Sequence, residues 1–261
     1  LVADGVHVIE PETGELASHL IGRGRMAEPE KIAEVLNNFF AYSESRSLSG
    51  RKIMITAGPT YERIDPVRFI GNFSTGKMGY AIADEAARRG ADVTIVSGPV
   101  AISPSEPSVR VVKVESARQM LDACRSIFPG CDIAIMAAAV ADYAPREFHT
   151  SKIKREHSSI DSIELVKNPD IAASLGAEKK SGQILVGFAL ETDNGQENAR
   201  EKLARKHLDA IVLNTLADAG AGFGTDTNKI TIIPASGEPH AFPLKSKAEV
   251  ACDILDAISN L

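Results

Sequence analysis

Along this chain, short runs of consecutive apolar residues alternate with stretches whose apolar positions recur every three to four residues. KIMITAG (52–58) reads as a buried strand. Gly76 to Arg89 then carries helical spacing through Met78, Ile82, Ala83 and Ala86, and ADVTIVSG (91–98) is the next strand after Gly90 at the helix end. Together these predict a βαβ unit.

The alternation continues through strand VRVVKV (109–114), a helix over Ala117–Ile127, strand DIAIMAAAV (132–140), a helix near Pro169 to Lys179, strand ILVGFAL (184–190), a helix over Glu197–His207 and strand AIVLN (210–214). Such a pattern predicts an α/β fold: a Rossmann-like, doubly wound, mainly parallel sheet with helices on both faces. Residues 141–165 break the rhythm as an inserted flap, and KITIIPASGEPHAFPL (229–244) reads as a hairpin before a last helix, Lys247 to Ile258. Upstream, residues 1–29 read as irregular. A helix follows over Glu30–Tyr42, with Ile32, Val35, Leu36 and Phe39 on one side, and SESRSLSG (43–50) reads as a linker. The expected domains are therefore 1–29, a helix and linker over 30–50, and a main domain over 51–261.

With 261 residues and 44% hydrophobic content, the chain can bury one substantial core. Thirty-five acidic against 29 basic residues give a net charge of -6, which argues against broad affinity for nucleic acid or anionic membranes. Any anion site must be local. Cys124, Cys131 and Cys252 show no C-x-x-C spacing, and the histidines no H-E-x-x-H pattern, so neither a disulfide framework nor a zinc site is expected. No apolar run reaches the roughly 18 residues of a membrane span, and a reducing cytoplasm is the expected setting. The chain opens at Leu1 without a signal-peptide pattern, and the expectation is a piece of a longer protein.

GNFSTGKMG (71–79) carries the first chemical signal. Gly71, Gly76 and Lys77 fit the opening of a P-loop, but Met78 stands where that motif needs Ser or Thr, and the segment lies about 14 residues past its strand instead of directly after it. A dinucleotide-binding turn fares no better: TAGPTYERIDP lacks G-x-G-x-x-G, and the second strand ends in Ser97, Gly98 and Pro99 without an acidic ribose anchor. What survives is an anion cradle of another design. Asn72, Ser74, Thr75, Gly76 and Lys77 place donors, a cation and flexible backbone just ahead of a helix N-terminus. The plainer reading makes Ser74 or Thr75 a helix N-cap and Lys77 a solvated side chain.

MITAGPT, IDPVRFIGNFSTGKMGYAIA, AAAVADY, SKIK, VKNPDI and GFALET follow one another in that order. With them the chain resembles the synthetase domain of bacterial phosphopantothenoylcysteine synthetase/decarboxylase over residues 52 to about 230. GELASHLIGRGRMAEP (14–29) is similar to the end of the fused decarboxylase domain, although Ser18 stands at the position of that domain's catalytic Cys. The resemblance implies a ligase of coenzyme A biosynthesis that joins 4′-phosphopantothenate to cysteine through an acyl-cytidylate made from CTP. It implies Mg2+ with the CTP, FMN only in the decarboxylase domain, and a homodimer. The rivals are an NAD(P)-dependent oxidoreductase, which the βα alternation alone favours, and a non-catalytic nucleotide- or phosphopantothenate-binding module.

Carried over residue by residue, the resemblance gives catalytic roles to Asn72, as a donor to an acyl oxygen, and to Lys152, as a cation at the triphosphate. It gives the nucleotide to Gly58, Ser74, Thr75, Gly76, Ala137, Ala138, Asp142, Pro169, Asp170, Ile171, Ala172, Phe188, Lys202 and Lys206. Arg68, Asn72 and Ala139 fall to the substrate, and no metal ligands are implied. The bland readings are a turn Asn, a solvated loop Lys, a capping Asp in NPD, a core Phe188, and a solvated helix face for Lys202 and Lys206 beside Glu201 and Arg205.

Overall fold

The computed structural model describes residues 8–9, 11–15, 21–33, 35–36, 47–154, 162–191, 194–215, 222 and 224–261. The chain divides into two compact units, Leu1–Arg46 and Ser47–Leu261. In the first, Glu12–Glu15 pairs antiparallel with Ile21–Arg25, where the sequence reads as irregular. Residues 29–33 and 35–36 are helical; the remainder of the expected helix, the linker to residue 46 and Ser18 lie outside the described residues.

The second unit is built on an eight-stranded sheet. Its strands in chain order are β1 (Lys52–Ala57), β2 (Asp92–Ser97), β3 (Arg110–Lys113), β4 (Ile133–Met136), β5 (Ile184–Glu191), β6 (Ala210–Thr215), β7 (Ile230–Pro234) and β8 (His240–Ala241). Their spatial order is β8-β7-β6-β5-β4-β1-β2-β3. The six strands β3 to β6 run parallel, while β7 and β8 add an antiparallel edge hairpin. The chain moves from β1 outward to β3 and then crosses to β4, so the topological switch lies between β1 and β4. In open α/β sheets this is where a crevice opens beyond the carboxyl ends of the strands.

Five helices cover the sheet: α1 (Lys77–Arg88), α2 (Ala117–Ile127), α3 (Ile171–Glu178), α4 (Gly195–Arg205) and α5 (Lys247–Ser259). One face packs Ile53, Ile55, Ile95 and Val212 against Ile82 and Ala86 of α1 and Val250, Ile254 and Leu255 of α5. The other packs Met54, Val96, Leu185 and Ile211 against Met120 of α2, Leu175 of α3 and Leu203 of α4. Burial on both sides explains why β1 reads as an apolar run and not as an alternating strand. Each such Ile or Leu contributes roughly 1.5–3 kcal/mol over leaving it exposed, which anchors helices whose own propensities are modest.

The expected flap is an arm in which Tyr143–Pro145 pairs antiparallel with Leu165–Lys167; residues 155–161 lie outside the described residues. A second small hairpin, Tyr61–Arg63 with Phe69–Gly71, carries the chain from β1 to the Gly-rich segment, and the rings of Tyr61 and Phe69 stack at 3.8 Å.

Candidate anion-binding site

A cavity of about 480 Å³ opens beyond the carboxyl ends of β1, β4, β5 and β6, a volume within the usual range for small-molecule sites. It brings together Asn72, Ser74, Thr75, Gly76, Ala137, Ala138, Ala139, Asp142, Pro169, Asp170, Ile171, Ala172, Phe188, Lys202 and Lys206, all singled out from the sequence. Gly58, Arg68 and Lys152 do not line it.

The Gly-rich segment builds one wall. Gly76, not Ser74 or Thr75, is the N-cap of α1; it is left-handed at φ 78°, and no side chain caps the helix. A Cβ at Gly76 would lie 2.9 Å from Val100 Cγ1, and one at Gly79 only 2.7 Å from Ala57 Cβ, so the helix start sits tightly on β1. With no acidic residue in its first turn, α1 offers uncapped N–H groups and positive dipole to the cavity. Lys77 is not simply solvated: its ammonium reaches Asp226 Oδ1 at 2.6 Å and the Gly224 carbonyl at 3.3 Å.

Asn72 Nδ2 donates to the Ala139 carbonyl at 2.9 Å and joins this wall to the loop after β4. The amides of that loop are already used, since Ala138 N donates to Thr56 Oγ1 and Ala139 N to the Gly58 carbonyl. The three alanines therefore offer a ligand small side chains and a close backbone, not free donors. Asp142 is exposed, and its loop is tied down by Asn168, whose Nδ2 donates to the Ala141 carbonyl at 2.8 Å. Gly58 stands behind the cavity at φ 78°, where a Cβ would meet Val100 Cγ1 at 2.8 Å, so its role is close packing.

From the other face, α4 and its C-cap supply two cations. Lys202 pairs with Glu191, and Lys206 with Asp170 at 3.0 Å. Asp170 is the N-cap of α3 and accepts from Ala173 N at 3.0 Å, so the capping reading of NPD holds locally. Burial pushes the Glu191 carboxyl up, but the hydrogen bonds from Lys202 and Asn198 outweigh it and leave the group below its ordinary range.

Arg68 is spent elsewhere. It pairs bidentately with the buried Asp65 at 2.5 and 3.0 Å and donates to the Ile153 carbonyl at 2.9 Å, while Ile153 N donates to Asp65 Oδ2 at 3.2 Å. This cluster holds the SKIK segment, so the expected substrate fork is an anchor for the loop that carries the exposed Lys152. The Arg68 hydrogen bonds hold the Asp65 carboxyl well below the usual carboxylate range.

Sequence reading missed Lys247, Asn214, Asn228 and the glycines Gly222 and Gly224, which complete the lining. LKSKAE signals only a helix start, and Ser246 with Glu249 indeed forms a capping box. None of the three cysteines lines the cavity. Burial pushes the Cys124 thiol up to about 12 and the Cys131 thiol up to about 11, which leaves neither as a thiolate nucleophile near neutral pH.

Fold and site thus define a doubly wound α/β protein whose switch-point cavity is lined by cations from both sheet faces. The chain belongs to the DNA/pantothenate metabolism flavoprotein C-terminal domain family, whose model matches residues 48–261. It is 53% identical over 263 residues to a cysteine/cysteine sulfinic acid decarboxylase of an unknown prokaryotic organism, covering 100% of this chain and 73% of that protein. It is 45% identical to the coenzyme A biosynthesis bifunctional protein CoaBC of Bacillus subtilis (strain 168), covering 100% of this chain and 64% of that protein. The chain therefore spans under two thirds of that bifunctional protein. Among solved structures, the C-terminal domain of a CoaBC bifunctional protein matches at 45% identity with a TM-score of 0.70, covering 82% of this chain and 97% of that one.

These findings bear out the α/β fold and correct the functional expectation. The resemblance pointed to a synthetase domain, hence to a ligase with CTP and Mg2+. The matched family is described as a flavoprotein domain, and the relative sharing 53% identity over the whole chain carries a decarboxylase name. The synthetase assignment, with its preceding decarboxylase remnant, its ligase activity, CTP and Mg2+, is accordingly withdrawn. Neither the oxidoreductase nor the non-catalytic module takes its place.

The flavoprotein description attaches flavin to the family, whereas the resemblance kept FMN outside this chain. The residues of this cavity do not fit a flavin. Phe188 is the one aromatic side chain among its described lining residues, and lysines approach from both faces of the sheet. A flavin mononucleotide brings one phosphate and a broad ring to be packed, whereas this lining offers one aromatic ring and four lysines. Among the described residues, no helix is long and apolar enough to cross a membrane.

Proposed function

We propose that this chain is the substrate-holding domain of a cytoplasmic coenzyme A biosynthesis protein. Its ligand is a pantothenate derivative with a phosphate at one end and a cysteine carboxylate at the other, of the 4′-phosphopantothenoylcysteine class. The observation that carries this reading is the pairing of cations in one cavity, Lys77 and Lys247 beside the uncapped α1 on one sheet face and Lys202 and Lys206 from α4 on the other. In a protein of net charge -6, four lysines around one cavity offer countercharge to a polyanion, three of them held in place by Asp226, Glu191 and Asp170. The pathway is supported by the names of the CoaBC relatives, and the reaction class, decarboxylation of a cysteine carboxylate, by that of the 53% identical relative.

In this reading α1 and Lys77 hold the phosphate, Lys202 and Lys206 hold the carboxylate, and Asn72 fixes the loops that line the path between them. Supplying 4′-phosphopantothenoylcysteine to the protein and measuring carbon dioxide release tests the reaction. Release that Lys206→Ala depresses supports it. Tight binding without release overturns the decarboxylation while leaving the ligand class standing.

The assembly we propose is a homodimer. Val67, Phe69, Phe73 and Phe148 are exposed on the hairpin, the Gly-rich segment and the arm, with Phe73 at 93%. Large apolar side chains exposed to this degree favour a second copy over solvent.

A further inference from the structure

Lys247 is a buried charge that the site described so far does not account for. It is the first residue of α5 and only 8% exposed, and it lines the cavity. Its ammonium donates to the carbonyl of Thr225, and also to the Gly222 carbonyl at 3.3 Å and Thr225 Oγ1 at 3.4 Å. No carboxylate lies within ion-pair distance of it among the described residues. Asp226 is spent on Lys77, with a side chain 87% exposed.

A buried ammonium satisfied only by neutral oxygens keeps its hydrogen bonds but lacks a countercharge. Burial and the neighbouring Lys77 both push its pKa down, against a weaker pull from Asp226. Around this corner stand two ammonium groups, one exposed carboxylate and the uncapped N-terminus of α1, a net positive site in which Lys247 is buried and the Lys77 side chain is 35% exposed.

We infer that Lys247 and Lys77 form a phosphate subsite with the first turn of α1, in which Lys247 is the specificity-determining residue that reads the charge of a phosphate monoester. The inference rests on the proposed ligand class and deepens it by naming Lys247 as the residue that reads the charge of the phosphate. A dianionic phosphate supplies the countercharge that Asp226 only partly offers, while the α1 amides supply directed donors. Held by the Gly222 and Thr225 carbonyls, Lys247 keeps its ammonium in place before the ligand arrives, so little side-chain entropy is lost on binding.

The test is calorimetric titration of inorganic phosphate, 4′-phosphopantothenate and pantothenate into wild type, Lys247→Gln and Lys247→Arg. Gln keeps donors for the two carbonyls but loses the charge, and thermal melting checks that each variant folds. The expected result is that Lys247→Gln weakens inorganic phosphate and 4′-phosphopantothenate alike by about ten- to a hundredfold, the loss of one charge-assisted hydrogen bond. Pantothenate should be unaffected, and Lys247→Arg should recover most of the loss. Unchanged phosphate affinity in a folded Lys247→Gln protein overturns the inference. Phosphate that binds in a Lys247-dependent manner, with no binding of either pantothenate compound, sustains the subsite and overturns the ligand class instead.

Discussion

Asn72 and Ala139 lie 67 positions apart in sequence, and the carboxamide of the first donates to the carbonyl of the second at 2.9 Å. That bond joins the Gly-rich segment before α1 to the loop after β4, across the switch point where the cavity opens. Replacing Asn72 by Ala should weaken ligand binding roughly tenfold through loss of loop alignment, since a neutral hydrogen bond is worth about 0.5–1.5 kcal/mol. Titration beside a melting curve checks it: a fall in affinity with little change in Tm is expected, because Asn72 is exposed.

Gly76 cannot be replaced cheaply. At φ 78°, with Val100 Cγ1 2.9 Å from where a Cβ would stand, Gly76→Ala meets both backbone strain and a clash. A loss of about 1–2 kcal/mol from the left-handed backbone alone is expected, measurable by urea unfolding. Adding Val100→Ala should recover only the steric part, because the strain in φ remains.

The Asp65 and Arg68 pair gives a pH signature. Asp65 has its folded pKa depressed, chiefly by the hydrogen bond from Arg68. Its stabilisation is therefore fully present above the unfolded carboxylate value and is lost as pH falls through the folded one. Arg68→Met should lower Tm at neutral pH, with the gap to wild type closing as pH drops below about 4. A gap that stays constant down to acid pH would refute the assignment.

Phe73→Asp should dissociate the proposed homodimer. Light scattering coupled to size exclusion should show a shift from twice the 27.8 kDa chain mass to a single chain. A wild type that runs as a monomer at high concentration refutes the dimer directly.

Much of the sheet was legible because its strands are buried on both faces and read as apolar runs, with Gly90 ending one helix. The lining of the cavity was legible where it sits in loops directly after strands, as at Ala137 to Asp142. Partners distant in sequence were not. Lys77 meets Asp226 across 149 positions and Lys247 meets Thr225 through a loop with no periodic signal, so neither could be paired by spacing. Arg68 misled because Asp65, three residues earlier, claims the fork that was read as free for a phosphate. The reaction misled for a different reason: motifs at a cradle specify an anion, while the bond made or broken depends on groups that the cradle does not contain.

In the proposed reading one cavity holds two anionic groups of one ligand. The most direct measurement is calorimetric binding of 4′-phosphopantothenoylcysteine compared with two analogues, one lacking the phosphate and one lacking the cysteine carboxylate. Each deletion should weaken binding by about tenfold or more, at 1.4 kcal/mol per tenfold, with Lys77→Met less sensitive than wild type to loss of the phosphate and Lys206→Ala less sensitive to loss of the carboxylate. An analogue that lacks either anion yet binds as tightly as the parent would contradict the account.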